Sequence, residues 1–100
     1  IKAWKRHNKM VLNLVVPVGS IRFVIYDSRE DSESFGRFGE VIISRENYFR
    51  LTVPPLLWMG FQGVDGNESV LLNVANIHHS PDEADRKKLG DIIYNWEVIR

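Results

Sequence analysis

A basic segment with one imidazole begins the chain and is the first candidate for chemistry. Its charged and aromatic side chains are those of Lys2, Trp4, Lys5, Arg6, His7 and Lys9. If residues 1–7 form a strand, side chains alternate between its two sides, so Lys5 and His7 share one side. Lys2, Trp4 and Arg6 then point to the other. A lysine and an imidazole on one wall can bind a phosphate, orient a carbonyl or move a proton. A solvated basic strand end is the competing interpretation.

Several polar residues interrupt apolar runs further along the chain. Asn13 and Asn73 each lie within a predicted strand. A buried amide without partners costs about 1–3 kcal/mol, so we predict that both face a polar, ligand-binding cavity. Structural hydrogen bonding is the alternative. Arg22 and Tyr26 share a strand face and are further candidate binding residues. Trp58 is either a platform for a ligand or a core side chain.

Two adjacent histidines, His78 and His79, raise the question of a metal site. Neighbouring residues on a strand project to opposite faces, so the two rings cannot easily chelate one ion. The chain also lacks cysteine, which excludes a thiolate site and a disulfide framework. We therefore predict no metal site. The two histidines are interpreted as a turn that leads to a helix cap at Ser80.

Short apolar and β-branched segments, separated by turn residues, must position these side chains. The predicted strands cover residues 1–7, 11–16, 21–26, 38–43, 48–53, 56–61 and 70–77. Strands that recur about every 10 residues are typical of an antiparallel sandwich or barrel. Alternation in the third strand places Ile21, Phe23 and Ile25 on one face and Arg22, Val24 and Tyr26 on the other. The turn signal at residues 17–20 predicts a hairpin of the second and third strands.

The connections carry their own signals. Residues 27–37 are polar and serine-rich, and predict an exposed loop. Pro54 and Pro55 mark the beginning of a strand rather than its middle, and Gly60 indicates a place where a neighbouring group approaches the strand closely. A capping serine, a proline and an acidic residue predict a short helix at about residues 81–88, closed by Gly90.

Composition limits the class of protein. One hundred residues make one domain. Thirteen basic and thirteen acidic side chains balance, which argues against a general nucleic-acid binder. No apolar run is long enough for a membrane span and no signal peptide is visible, so we expect a cytoplasmic protein without a membrane partner. Because Ile1 lies in a predicted strand and is not methionine, we expect further residues upstream.

The segment from Val53 to Gly63, together with residues 80–83, resembles a known family. Its Pro-Pro-Leu-Leu-Trp-Met-Gly-Phe run is similar to the PPGFAHGF-like strand of the nucleotide-sugar epimerase branch of the cupins, described as dTDP-4-dehydrorhamnose 3,5-epimerase-like. The resemblance implies an all-β cupin barrel or jelly roll with one short C-terminal helix over residues 1–100. It also implies a homodimer, a nucleotide-sugar substrate and no cofactor.

The same resemblance assigns roles to the first strand. Residues 2–7 align without a gap with an RGWHAH-like segment of the related ketoisomerases. Lys2 falls on an arginine that binds the nucleotide diphosphate, and His7 falls on the second histidine. Lys5 replaces the first histidine, the base of the epimerases. Met59 replaces the histidine of the PPGFAHGF-like strand, and Asn73 replaces a tyrosine that acts as an acid.

Three functional hypotheses follow. The first is an epimerase or isomerase that moves a proton next to the ketone of a dTDP-4-keto-6-deoxyhexose. His7 is then the base, Lys5 an alternative base or the group that stabilises the enolate, and Lys2 and Arg22 the diphosphate anchors. The alternative is a non-catalytic cupin that binds a sugar nucleotide or a carbohydrate, because both expected proton-transfer groups are replaced. A structural dimer with a vestigial pocket is the third possibility.

Overall fold

Two antiparallel sheets make up most of the regular structure in the computed structural model, which describes residues 1–64, 68–77 and 81–97. The strands are β1 (Lys2–His7), β2 (Leu12–Val18), β3 (Ile21–Tyr26), β4 (Phe38–Ile43), β5 (Leu51–Val53), β6 (Trp58–Gly63), β7 (Val70–Asn73) and β8 (Ala84–Arg86). The five-stranded sheet has the order β4-β3-β6-β1-β8 and the three-stranded sheet the order β5-β2-β7. This arrangement confirms the predicted all-β, cupin-like fold. The described residues contain no helix long and apolar enough to cross a bilayer.

The predicted hairpin of β2 and β3 is wrong, because the two strands belong to different sheets. β2 pairs with β5 and β7, whereas β3 pairs with β4 and β6. Gly19 lies in the turn between them with φ 83, and a Cβ on it would lie 2.2 Å from Ser69 Oγ. The turn therefore carries the chain from one sheet to the other. Turn residues alone cannot distinguish such a crossing from a hairpin.

Both faces of the five-stranded sheet are buried, each against a different set of residues. The inner core lies between the sheets and consists of Met10, Leu12, Leu14, Val16, Ile21, Phe23, Ile43 and Val53. The outer cluster lies on the opposite face and consists of Trp4, Val24, Trp58, Ile92 and Trp96. In β3, Phe23 lies in the inner core and Val24 in the outer cluster, which confirms the predicted alternation. Ile92 and Trp96 belong to the C-terminal segment (residues 89–97), which follows β8. Since both residues pack in the outer cluster, this segment covers the outer face of the sheet.

Gly60 occupies the point of closest approach on β6. A Cβ on Gly60 would lie 2.6 Å from Ala3 Cβ and 3.0 Å from the Trp96 ring. The predicted close approach is therefore confirmed. A side chain at this position would force the neighbouring strand β1 and the C-terminal segment away from the sheet.

The helix predicted for residues 81–88 is limited to one 3₁₀ turn, Pro81–Glu83. The next residues form β8, which pairs with β1, and a second 3₁₀ turn follows at Leu89–Asp91. The edge of β1 offers unpaired backbone groups, and pairing with them overrides the helix-capping signal. Ser80, the predicted cap, lies outside the described residues.

Candidate functional site

A cavity of about 360 Å³ lies beside β1, on the inner side of the five-stranded sheet. Its polar lining comes from Lys2, Lys5, His7, Arg86 and Lys87. Its apolar lining includes Leu12, Met59 and Phe61. Lys5 and His7 therefore share one wall, as the alternation of strand side chains indicates.

The pairing of β1 with its two neighbours explains how these side chains meet. Lys5 lies opposite Met59 on β6 and opposite Arg86 on β8. The register shifts between Lys2 and Lys5, so that Lys2 lies opposite Phe61. Since residues opposite each other in an antiparallel pair share a face, Lys2 lies on the inner side together with Lys5. The expected position of Lys2, on the side opposite Lys5, is therefore wrong, because that expectation assumed strict alternation.

His7 is buried and its ring is held by a carboxylate. Nδ1 of His7 lies 2.5 Å from Oε1 of Glu83. Oε2 of the same carboxylate accepts hydrogen bonds from the backbone amides of Lys9, at 2.5 Å, and Met10, at 3.0 Å. With Nδ1 engaged, Nε2 is the ring nitrogen that can exchange a proton with a ligand.

The surroundings of Glu83 keep it ionised. Burial raises the pKa of its carboxyl group, but hydrogen bonds from the Lys9 amide, the His7 ring and the Met10 amide lower it more, to about 2. Glu83 is therefore an anion at neutral pH and can fix the orientation of the imidazole. The sequence pattern does not reveal this role, because it predicts that Glu83 is part of a helix cap. Its place in the Ser-Pro-Asp-Glu segment was the only signal.

Four cations surround the cavity: Lys2, Lys5, Arg86 and Lys87. The two from residues 86 and 87 were not among the predicted site residues. They line the cavity because β8 pairs with β1. The sequence analysis predicts a helix for these residues and therefore does not predict this pairing. A cavity with an apolar floor and a cationic rim suits a ligand that has both an uncharged ring and a phosphate group.

Comparison with known proteins identifies the family of the chain. A family model described as dTDP-4-dehydrorhamnose 3,5-epimerase matches residues 3–98. The chain belongs to the dTDP-4-dehydrorhamnose 3,5-epimerase family. The structure of a dTDP sugar isomerase from Desulfovibrio desulfuricans G20 superposes with a TM-score of 0.92 and 36% sequence identity. That match covers 99% of this chain and 65% of the other.

Two curated relatives of this family member are also similar. The probable low-salt glycan biosynthesis epimerase Agl13 of Haloferax volcanii is 29% identical over 90 residues, 89% of this chain and 58% of that protein. The spore coat polysaccharide biosynthesis protein SpsL of Bacillus subtilis is 26% identical over 102 residues, 98% of this chain and 68% of that protein. The chain thus spans about three fifths of the length of the first relative.

Arg22 does not line the cavity of His7, although it was predicted to bind the diphosphate there. Its side chain is buried on the outer face, where it donates hydrogen bonds to the Gln62 side chain and the Trp96 carbonyl. Glu40 lies 3.8 Å away. The expectation of a shared cavity fails because odd and even positions of β3 face opposite sides, and the even positions face the outer cluster.

Tyr26 and Trp58 also belong to the outer face. Trp58 is buried, and its Nε1 donates a hydrogen bond to Ser28 Oγ at 3.1 Å. The guanidinium of Arg6 lies 4.8 Å from the centre of the Trp58 ring. Trp58 and Tyr26 therefore pack in the outer cluster and do not line the cavity of His7.

Asn13 and Asn73 bond to the backbone instead of facing the cavity. The Asn13 amide donates to Asn73 Oδ1 at 3.2 Å, and Asn13 Nδ2 donates to the Val74 carbonyl at 3.1 Å. The Thr52 hydroxyl donates to Asn13 Oδ1 at 2.9 Å. These contacts agree with the alternative interpretation, in which the two asparagines form structural hydrogen bonds. Their amide groups have partners within the protein and do not need a ligand.

The described residues contain no group of three or more histidine, cysteine, aspartate or glutamate side chains that could hold a metal ion. His78 and His79 lie outside the described residues. Of the predicted site residues, the structure brings Lys2, Lys5 and His7 together and places Asn13, Arg22, Tyr26, Trp58 and Asn73 elsewhere.

Proposed function

We propose that the cavity beside His7 is the sugar-binding and proton-transfer site of a nucleotide-sugar epimerase or isomerase. The proposed substrate is a dTDP-linked 4-keto-6-deoxyhexose. Membership of the family supports the reaction class, and the similar structure of a dTDP sugar isomerase supports the nucleotide. One observation carries the proposal: Glu83 fixes His7 on the wall of a cavity that also holds Lys5.

Proton transfer beside a ketone needs a base and a group that stabilises the resulting enolate. His7 Nε2 would take the proton from the carbon next to the carbonyl, and the carbon–hydrogen electron pair would form the enolate. The ammonium group of Lys5 would stabilise the enolate oxygen. Glu83 would stabilise the imidazolium ion until the proton returns to carbon. No oxidant or reductant enters this sequence.

The rest of the cavity would bind the remainder of the substrate. Lys2, Arg86 and Lys87 would bind the diphosphate, with Arg86 and Lys87 in place of the predicted Arg22. The apolar side chains of Met59 and Phe61 would contact the methyl group of a 6-deoxy sugar. A hydroxymethyl group in that position would leave a hydroxyl without a polar partner.

The placement of the ionisable groups favours one type of proton transfer. In the described part of the chain, those that line the cavity come from β1 and from residues 86 and 87, whereas the facing sheet contributes Leu12. Inversion of a carbon centre needs a donor on the opposite side of the enolate plane. A one-sided set of groups returns the proton to the side it left, so we propose isomerisation of the ketone rather than double epimerisation.

Exchange in deuterated water tests the proposal. The protein would be incubated with dTDP-4-keto-6-deoxyglucose in deuterated water, and proton NMR would follow the signals beside the carbonyl. We expect deuterium incorporation with retained configuration or a shifted carbonyl. His7→Gln should slow the exchange by about 10²–10⁴-fold, the usual contribution of a general base. Lys9→Gln is the matched control, because that side chain is exposed and lies outside the cavity.

Thermal unfolding with dTDP separates the enzyme from a binding module. A ligand that binds only the folded state raises Tm. Absence of exchange together with a raised Tm would overturn the enzyme and favour the non-catalytic cupin. Absence of both would overturn nucleotide-sugar binding as well. Retained binding by the His7→Gln protein would show that its loss of exchange does not come from misfolding.

A further inference from the structure

A second cavity, of about 610 Å³, lies on the outer face of the five-stranded sheet. It is lined by Arg6, Tyr26, Phe38, Trp58, Lys87 and Asp91, among others. The sheet separates it from the cavity of His7, because Lys5 and His7 face inward while Arg6 packs on Trp58 in the outer cluster. The outer cavity lies between the loop that precedes β4 and the C-terminal segment, and Lys87 is the one residue common to the two linings.

One wall of the outer cavity is aromatic and accessible. The rings of Tyr26 and Phe38 lie 4.7 Å apart, and Phe38 lies 5.2 Å from Tyr94. Phe38 is 40% exposed although it belongs to this ring cluster. An exposed aromatic face beside a cavity offers a surface for the carbon–hydrogen face of a sugar ring, which is apolar while its rim carries hydroxyls.

The polar groups of the cavity include both signs of charge. Arg6 pairs with Asp85 at 2.7 Å, and the Lys87 ammonium lies 5.2 Å from the centre of the Trp58 ring. The exposed carboxylate of Asp91 lines the same space. Because these charges offset each other, the site does not select a strong anion. Hydroxyl groups both donate and accept hydrogen bonds, so they suit such a mixed lining.

Ser28 supplies a hydroxyl group to the lining of the cavity. This hydroxyl accepts a hydrogen bond from Trp58 Nε1, so its own proton can be donated to an oxygen of a ligand.

We propose that this outer cavity binds a neutral sugar ring, such as one hexopyranose residue of a glycan. The ring would stack on Phe38 and Tyr26, and its hydroxyls would bind Ser28 and Asp91. The volume lies within the range of about 300–1,000 Å³ that is usual for small-ligand sites. This site is independent of the proton-transfer site proposed for His7.

Saturation-transfer NMR with the methyl glycosides of glucose, galactose and mannose tests the outer site. We expect at least one glycoside to bind, and Phe38→Ala to weaken its binding by about two- to tenfold, because the substitution removes the stacked aromatic contact. Asp91→Asn should also weaken binding, and it tests the site even if Phe38→Ala does not fold. Phe35→Ala is the matched control, because Phe35 is 50% exposed in the loop that precedes β4 and does not line the cavity.

Three results would overturn the outer sugar site. The first is the absence of a signal from every glycoside. The second is equal binding by wild type, Phe38→Ala and Asp91→Asn. The third is competition by dTDP or loss of binding in His7→Gln, which would place the glycoside in the inner cavity. Unchanged binding in His7→Gln would support the outer site whether or not the proposed proton transfer occurs.

Discussion

Leu56 has a backbone conformation that favours glycine. Its φ is 72, and it occupies the place of the glycine in the PPGFAHGF-like strand. An L-residue in the left-handed region is disfavoured by about 1–2 kcal/mol. The Leu56 amide donates a hydrogen bond of 2.7 Å to the His7 carbonyl, so this turn supports the strand that carries the candidate base. Leu56 is 42% exposed, and burial of its side chain compensates only in part.

Replacement of Leu56 should therefore separate backbone strain from side-chain packing. We expect Leu56→Gly to be more stable than Leu56→Ala by about 1 kcal/mol, because only glycine adopts a positive φ without a steric penalty. Alanine is the matched control, since it also removes the leucine packing but retains a Cβ. Urea unfolding of the two variants measures the difference. Equal stabilities would show that the turn is not strained at this residue.

At the scale of single residues, sequence reasoning located the candidate base but not its partners. Strand alternation alone places Lys5 and His7 on one side, and the structure agrees. The position of Lys2 could not be predicted, because a register shift before Lys5 reverses the alternation. Arg86 could not be predicted either, since its place depends on β8 pairing with β1 rather than on local sequence.

The short element around Glu83 ties the two ends of the chain together. Besides its side-chain contacts, the Glu83 carbonyl accepts hydrogen bonds from the Asn8 amide at 2.9 Å and from Asn8 Nδ2 at 3.0 Å. The connection between β1 and β2 is thus fixed by one residue of a distant turn. A helix-capping pattern in the sequence cannot predict the contact between Glu83 and Asn8, because the pattern describes only the first turn of a helix.

Ionisation of Glu83 should make stability depend on pH. Its folded-state pKa is lowered from 4.5 to about 2, so its contribution is fully present above 4.5 and is lost as pH falls through about 2. Glu83→Gln should be less stable than wild type at neutral pH. The difference in unfolding free energy should shrink as pH falls between those two values, because protonated glutamate resembles glutamine.

Urea unfolding at several pH values measures this difference. Asp82→Asn is the matched control, because Asp82 is the exposed neighbour of Glu83 and should show no such change. A constant gap between wild type and Glu83→Gln over the whole range would contradict the assignment.

The loop between β3 and β4 illustrates what composition leaves open. It is polar and mostly exposed, as predicted, yet Asp27 at its start is buried. Both carboxylate oxygens of Asp27 contact Arg29, at 2.9 Å each, and the Ser32 and Ser34 hydroxyls also donate to this group. Hydrogen bonds from the Arg29 side chain are the main cause of a strongly lowered Asp27 pKa. The loop is therefore held by hydrogen bonds to one buried carboxylate, which its serine-rich composition does not indicate.

Over the whole molecule, the faces of the strands were predictable while their partners were not. Period-two patterns assign β3 residues to two faces, and both assignments agree with the structure. The same patterns contain no information on whether β2 and β3 pair, because crossing between sheets and forming a hairpin use the same turn residues. Nor do they show that the C-terminal segment covers the outer face of the sheet.

The packing of the C-terminal segment on the outer face leads to a prediction about stability and ligand binding. Trp96 is buried in the outer cluster, 5.5 Å from the Trp4 ring, whereas nearby Ile93 is 90% exposed. Trp96→Ala should lower the unfolding free energy by about 3–5 kcal/mol, as expected for a buried aromatic residue, and Ile93→Ala, the matched control, by less than about 0.5 kcal/mol. Because Trp96 does not line the cavity of His7, folded Trp96→Ala protein should bind dTDP as wild type does. Urea unfolding and dTDP titration below the unfolding transition measure the two quantities, and a parallel loss of both would show that the outer cluster shapes the inner cavity through the sheet.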